Sequence, residues 1–163
     1  MGLKAMVADK IDKLCLYLEK LTVVVLMILL CGMLLVAWAH VFWRYVLESS
    51  LFWSEELLRF SLVWFALLSA SVLYKRKGHL GIGLFVKKLP EGAQDKISIA
   101  IIYIFLLLNL VVTYQGFSIL SDVHDQLTPA LRIPVSVPYA SIPVSFLLMA
   151  VYGISDILNQ FKR

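Results

Sequence analysis

Three charged residues lie close enough together in the sequence to act as a group: Glu55, Glu56 and Arg59. On a helix, Glu55 lies four residues from Arg59 and Glu56 three, so either carboxylate can pair with the guanidinium. Such a pair would neutralise Arg59 where its helix enters the edge of a membrane. Two carboxylates beside one arginine leave one negative charge over. We therefore expect at least one glutamate to contact a partner, with Arg44 as a further member of that contact.

Two histidines suggest a different chemistry. His40 and His124 belong to different helical segments but fall on the same side of the predicted membrane, and two such histidines could ligate haem. They could equally be ordinary residues of the membrane interface. His79 follows a basic run on the opposite side and cannot join them. A haem-binding, cytochrome-b-like anchor subunit thus stays open as an alternative function.

The residue sets that most enzymes require are missing from the sequence. It contains no Ser/His/Asp or Cys/His nucleophile set, no zinc-ligand spacing and no phosphate-binding glycine loop. Cys15 and Cys31 would lie about 24 Å apart on one helix, which is beyond disulfide reach. We predict that the chain is not an enzyme and has no catalytic, cofactor-binding or metal site of its own.

The elements that position these residues are four long apolar runs. Hydrophobic residues make up 61% of the sequence, well above the share in soluble domains. About 20 helical residues cross a hydrocarbon core, and continuous rather than alternating apolar runs exclude a β-barrel. We predict an all-α integral membrane protein with four transmembrane helices in a single domain, residues 1–163. The predicted spans are approximately 21–43, 55–74, 97–121 and 133–155.

The distribution of positive charge predicts the orientation of these spans. Twelve of the 15 Lys and Arg residues fall before the first span, between the second and third, or after the fourth. The other three are Arg44, Arg59 and Arg132. Since cytoplasmic segments of membrane proteins carry the excess of Lys and Arg, both termini should be cytoplasmic. The net charge of +4 then reflects topology and does not indicate a nucleic-acid partner.

Short amphipathic segments and helix ends accompany the spans. Residues 1–20 repeat apolar side chains at helical spacing, which fits either an interfacial helix on the inner surface or a cytoplasmic extension of the first span. Residues 84–86 predict a second short interfacial helix, stopped by Pro90. Ser54 is expected to cap the second helix. Pro143 is expected to kink the fourth.

The uncharged parts of the four spans, residues 21–43, 60–74, 97–121 and 133–155, contain no Lys, Arg, Asp or Glu. The second span needs about one further turn, which carries Glu55, Glu56 and Arg59, to cross the membrane. Ion-coupled carriers usually need an ionisable group or a broken helix at mid-membrane. This argues against an autonomous small four-helix exporter, which remains the third alternative. Among the deepest polar residues, Asn109 is expected to bond a neighbouring helix. Ala66 and Ala70 form a small-residue pair that would allow a close helix–helix approach.

Several segments, in order and spacing, resemble the small (Q) membrane subunit of tripartite ATP-independent periplasmic (TRAP) transporters. The residues that carry the resemblance are Phe42-Trp43-Arg44-Tyr45-Val46, Trp53-Ser54-Glu55-Glu56-Leu57-Leu58-Arg59, Lys75-Arg76-Lys77-Gly78-His79-Leu80, Leu131-Arg132-Ile133-Pro134, Tyr139 and Ile142-Pro143. One departure is Gly83, where relatives often carry an acidic residue.

The resemblance implies a subunit of the bacterial inner membrane in a sodium-coupled importer of an organic acid. In that family a periplasmic binding protein delivers the acid, and a large (M) subunit holds the substrate and sodium sites and moves like an elevator. The small subunit braces the fixed scaffold of the large one, surrounded by membrane lipids. The residues then expected to be structural or to contact partners are Arg44, Trp53, Glu55, Glu56, Arg59, Trp64 and His79. We further hypothesise that residues 44–56 and 122–132 help to dock the periplasmic protein.

Overall fold

The computed structural model describes residues 2–49, 51–76 and 91–160, and within them the regular structure is helical. The helices are α1 (Gly2–Val46), α2 (Phe52–Lys75), α3 (Glu91–Asp122), α4 (Ser136–Tyr139) and α5 (Ser141–Gln160). Four stretches are long and apolar enough to cross a membrane: Lys10–Val46, Phe52–Lys75, Ala100–Asp122 and Ser136–Ile157. The prediction of an all-α chain with four spans is confirmed.

Helix α1 is continuous from Gly2 to Val46. Its 45 residues make it about 67 Å long at 1.5 Å per residue, which exceeds the full thickness of a bilayer. The amphipathic segment and the first span therefore form one helix, in agreement with the second of the two alternatives for residues 1–20. The helix predicted at residues 84–86 lies outside the described residues.

Helix α5 is the central helix of the bundle, because it packs against α1, α2 and α3. Its buried face carries Ser141, Ser145, Met149 and Tyr152 at spacings of four, four and three residues. This is the periodicity of one side of a helix. Two of these four buried residues are serines, which keep the face narrow and let neighbouring helices approach closely.

Helix α3 presents a matching face to α5. Asn109, Thr113 and Gly116 are buried at spacings of four and three residues. Asn109 donates from Nδ2 to the carbonyl of Phe105 at 2.6 Å, within its own helix. The expectation that Asn109 bonds a neighbouring helix is therefore wrong. The carbonyl four residues back is always within reach of a helical side chain and needs no partner helix.

Gly116 sets the distance between α3 and α5. A Cβ atom on this glycine would lie 3.0 Å from Cδ of Pro143, closer than ordinary van der Waals contact. Pro143 occupies the first turn of α5, where a missing N–H costs little. Proline clashes with the carbonyl four residues back, here that of Tyr139, and the helix assignment is interrupted at the next residue, Ala140. The effect of Pro143 is thus an interruption at Ala140, whose backbone keeps helical angles (φ −59°, ψ −20°); the kink itself stays a prediction.

The first half of α1, the end of α2, the middle of α3 near Phe105 and the second half of α5 meet at what we call the terminal end. Its core contains Cys15, Tyr74, Met149 and Tyr152. Hydrogen bonds join Ser155 Oγ to Asp12 Oδ1 at 2.5 Å and Arg76 Nε to Glu19 Oε1 at 2.7 Å. The ring of Tyr74 also stacks on Phe105 with centroids 4.7 Å apart. Polar and aromatic contacts thus hold α1, α2, α3 and α5 together here.

Candidate functional site at the loop end of the bundle

The opposite end of the bundle, the loop end, consists of the links at residues 47–51 and 123–135. The second link is a tight, ordered turn. Leu127 and Pro134 form an antiparallel bridge, and the amide of Thr128 donates to the carbonyl of Ile133 at 2.9 Å. Arg132 takes a positive φ of 52°, a conformation unusual for a residue with a Cβ atom. The link therefore has a defined shape on which a partner could be recognised.

Glu56 fixes this link to α2. Its Oε2 accepts hydrogen bonds from the amides of Ala130 at 2.7 Å and Leu131 at 3.0 Å. Hydrogen bonds to an ionised carboxylate are shorter and stronger than those between neutral groups. The other oxygen, Oε1, is buried and has no hydrogen-bond partner among the residues that the structure describes. Glu56 is thus an internal structural residue that positions residues 128–132.

The predicted pairing of Arg59 with a glutamate does not occur. Glu56 turns towards the amides of the second link, because two fixed backbone donors stabilise its carboxylate more than one flexible guanidinium would. The side chain of Glu55 is 67% exposed, and its Oε1 lies 3.9 Å from Nε2 of His40. Arg59 is exposed. Across residues 2–49, 51–76 and 91–160 it makes no ion pair, hydrogen bond or ring contact.

His40 on α1 is held by the first turn of α2. Its Nδ1 lies 2.6 Å from Oγ of Ser54, and that hydroxyl donates to the carbonyl of Leu51 at 2.7 Å. Because the hydroxyl has only one proton, His40 must donate from Nδ1. The expected cap by Ser54 is wrong, since α2 already begins at Phe52 and Leu51 is the N-cap residue. Ser54 joins α1 to α2 instead.

This arrangement gives no support to the haem hypothesis. Both ring nitrogens of His40 face groups of the chain itself, namely Ser54 and Glu55. His124 is exposed beyond the end of α3. The backbones of α1 and α3 do not pack against each other within the described ranges. Among the described residues His40 is thus held by Ser54, and no contact joins it to His124.

The predicted aromatic and basic residues divide between internal contacts and the surface. Trp64 donates from Nε1 to the carbonyl of Val137 at 3.2 Å, which ties α2 to α4. Trp53 is 42% exposed. Arg44 is exposed, and its guanidinium carbon lies 5.9 Å from the ring centroid of Tyr45. His79 lies outside the described residues.

Two contributors to this site were not singled out from the sequence. Thr128 is only 3% exposed, and its Oγ1 accepts from the amide of Ile133 at 3.2 Å. The carbonyl of Val137 receives the indole of Trp64. A threonine before a proline in a link is a usable turn signal. The backbone acceptor of Trp64 and the two backbone donors to Glu56, by contrast, are 73 to 75 residues away in the chain, and no local pattern reveals them.

Comparison with known proteins gives one family match and several relatives. Residues 33–163 match the family model for the DctQ component of tripartite ATP-independent periplasmic transporters. The isethionate TRAP transporter permease protein DctMQ of Oleidesulfovibrio alaskensis is 31% identical over 112 residues, which is 68% of this chain and 18% of that protein. This chain therefore spans about a fifth of the length of that relative.

Two shorter relatives are covered over most of their length. The ectoine TRAP transporter small permease protein TeaB of Halomonas elongata is 26% identical over 142 residues, 83% of this chain and 74% of the relative. The sialic acid TRAP transporter small permease protein SiaQ of Vibrio cholerae is 27% identical over 124 residues, which cover 73% of this chain and 69% of that relative. With four candidate spans, the chain is a multi-pass protein of the bacterial inner membrane. The chain belongs to the DctQ family, the small permease subunits of TRAP transporters.

Proposed function

We propose that this chain supports the fixed scaffold of a large membrane subunit in a sodium-coupled, elevator-type importer of an organic acid. One observation carries the proposal: residues 21–43, 60–74, 97–121 and 133–155, which form the middle of the four spans, contain no Lys, Arg, Asp or Glu. A subunit that bound the substrate or its coupling ions would need an ionisable group or a broken helix at mid-membrane. A supporting subunit needs only a suitable outer surface.

The relatives support the partner and the class of substrate. The longer relative is a permease protein whose name joins M and Q, and this chain matches 18% of it. This fits a small subunit whose working partner is a large membrane protein. The names of the three relatives mention isethionate, ectoine and sialic acid. Each of these compounds has an acid group, which supports an organic acid as the transported solute.

The orientation is part of the proposal. Twelve of the 15 Lys and Arg residues lie in the sequence before the first span, between the second and third, or after the fourth, so the terminal end should face the cytoplasm and the loop end the periplasm. Single cysteines placed at Ser49 and at Gln160, in a chain lacking Cys15 and Cys31, would test this. A membrane-impermeant thiol reagent applied to spheroplasts should label position 49 and not position 160. The reverse pattern would invert the topology.

The test of the supporting role is purification of the tagged chain from its native host in mild detergent, followed by mass spectrometry of the co-purifying proteins. We expect a stoichiometric hydrophobic protein with many spans, together with loss of acid uptake in cells lacking this chain. A chain that elutes alone from cells with unimpaired uptake would contradict the proposal. A coloured preparation with a Soret band would favour the haem alternative.

We also propose that the surface formed by residues 44–56 and 122–132 docks a periplasmic binding protein. Glu56 supports this role because it holds residues 128–132 in one conformation. Glu56→Ala should weaken docking at least about tenfold by releasing the second link, since charged hydrogen bonds contribute about 1.5–3 kcal/mol each. Glu56→Gln keeps an acceptor oxygen and should retain most of the affinity. Equal affinity of both variants and wild type, measured on the reconstituted complex, would argue against docking here.

A further inference from the structure

One face of α2 remains uncovered along the length of the helix. Its exposed residues follow one another at intervals of three and four, as one side of a helix does. We call this face the α2 stripe: Glu55, Arg59, Leu62, Ala66, Ala70 and Leu73. The other sides of α2 pack against α1, α4 and α5. The stripe combines an acid, a base and two small residues on a surface that faces out of the bundle.

The two charges of the stripe are not paired with each other. Glu55 and Arg59 have the spacing of a helical ion pair, yet no contact joins them within the part of the chain that the structure describes. Glu56, the other acid within reach of Arg59, is occupied by the amides of the second link. The guanidinium is left exposed within a membrane-spanning helix, where an uncompensated charge is costly.

The depth of Arg59 indicates which groups can reach it. Its Cα lies seven residues into α2, about 10 Å from the helix start. Helical side chains lean towards the N-terminus, so Arg59 extends back towards the loop end. Phe52 and Trp53 are 82% and 42% exposed at that level, as expected of aromatic residues at a lipid–water interface. A guanidinium at the headgroup level pairs best with phosphate, which it can bind through two hydrogen bonds.

We propose that the α2 stripe binds one phospholipid whose headgroup carries a primary amine. Arg59 binds the phosphate, and Glu55 binds the ammonium group. Glu55 lies one turn, about 6 Å, further towards the loop end. This order matches phosphatidylethanolamine, in which the phosphate lies between the acyl chains and the amine. Both charges of the stripe are then satisfied by one molecule, whichever side of the membrane the loop end faces.

The lower part of the stripe fits the acyl chain of the same lipid. From Arg59 to Ala70 the helix rises about 17 Å, close to the roughly 15 Å depth of one leaflet. Ala66 and Ala70 lack bulk, so an acyl chain can lie against the helix backbone between Leu62 and Leu73. A carboxylate on a partner helix would satisfy Arg59 but would leave Glu55, which is 67% exposed, with only the His40 ring 3.9 Å away, so the lipid explains more of the stripe.

The full-length chain, delipidated in mild detergent, can be titrated with phosphatidylethanolamine or phosphatidylglycerol of identical acyl chains and followed by native mass spectrometry. We expect one retained phosphatidylethanolamine per wild-type chain, bound at least threefold more tightly than phosphatidylglycerol. Arg59→Gln should weaken phosphatidylethanolamine binding about tenfold, whereas Arg59→Lys should stay within threefold of wild type. Glu55→Gln should remove the preference between the two lipids. Arg132→Gln removes an exposed arginine that is not part of the α2 stripe. This matched control should leave the binding of both lipids unchanged.

Three results would overturn the proposal. One is equal retention of both lipids by the wild-type chain, and another is unchanged phosphatidylethanolamine binding by Arg59→Gln. The third is an Arg59→Gln chain that keeps the lipid but no longer co-purifies with a large membrane protein, which would assign Arg59 to a protein contact. Because the titration uses this chain alone, a negative result leaves the proposed subunit role untouched.

Discussion

Helices α1 and α5 both cross the membrane but have opposite relations to the rest of the bundle. Of the 18 most apolar residues in the first span, on α1, 6% are buried, whereas the corresponding share of the fourth span, Ser136–Ile157, which is mostly α5, is 44%. The more apolar helix is thus the less buried one. Large side chains such as Ile28 and Leu35 on α1 are 66% and 72% exposed, while serines on α5 are fully buried.

The physical reason is the solvent. In water, burial of large apolar side chains drives packing, but a bilayer already solvates them. Helices in a membrane associate through close contact and hydrogen bonds, so small and polar residues collect at their interfaces. On this basis α1 interacts with lipid or a partner over most of its surface, and α5 holds the bundle together. Matched substitutions in α1 and in α5 with its neighbour α3 test whether the two regions differ in packing in this way.

The largest effect is expected where α3 meets α5. Gly116→Leu should lower the free energy of unfolding by about 3 kcal/mol, because overpacking forces the backbones apart and Pro143 leaves no room. The matched control is Gly32→Leu on α1, where an added Cβ would meet no other part of the described chain within 4 Å beyond the helix's own backbone. That variant should be neutral or slightly stabilising, since leucine favours helix more than glycine does. Thermal unfolding in detergent, followed by circular dichroism, measures both. Equal effects would show that α1 and α3 are packed alike.

An intermediate effect is expected from truncating apolar side chains. Met149→Ala on α5 should cost about 2 kcal/mol, near the lower limit for core truncations because lipid solvates the unfolded helix too. Ile28→Ala on α1 should change the free energy of unfolding by less than about 0.5 kcal/mol. The same thermal unfolding assay applies. A loss at Ile28 as large as that at Met149 would indicate that α1 is covered within this chain.

The smallest effects should distinguish two buried serines of α5. Ser155→Ala removes the hydrogen bond to Asp12 on α1 and should cost about 1 kcal/mol. Ser145→Ala removes a buried hydroxyl that has no partner and should leave the free energy of unfolding unchanged within about 0.5 kcal/mol or raise it. Were Ser145→Ala the more harmful, that hydroxyl would have to bond a group outside this chain.

The spans were predictable because the signal is local. Each apolar run can be recognised from consecutive residues of the sequence. Pro143 likewise predicts the interruption of the fourth span. The site was less predictable, since its contacts compete across the chain. Spacing alone allows Glu56 to pair with Arg59, but it cannot reveal two backbone donors in a link 74 residues on. Ser54 illustrates the same limit, because its role depends on His40 in another helix.

The contact between Glu56 and the second link also implies an order of assembly. A ribosome delivers Glu56 to the membrane well before Ala130, since 74 residues separate them. The carboxylate therefore reaches the membrane surface before its hydrogen-bond donors do. The contact can form only after α3 has crossed and the second link has emerged. A contact completed so late stabilises the finished protein mainly by slowing its unfolding, not by speeding its folding. Loss of Glu56 should accordingly shorten the lifetime of the inserted protein while leaving the rate of insertion unchanged.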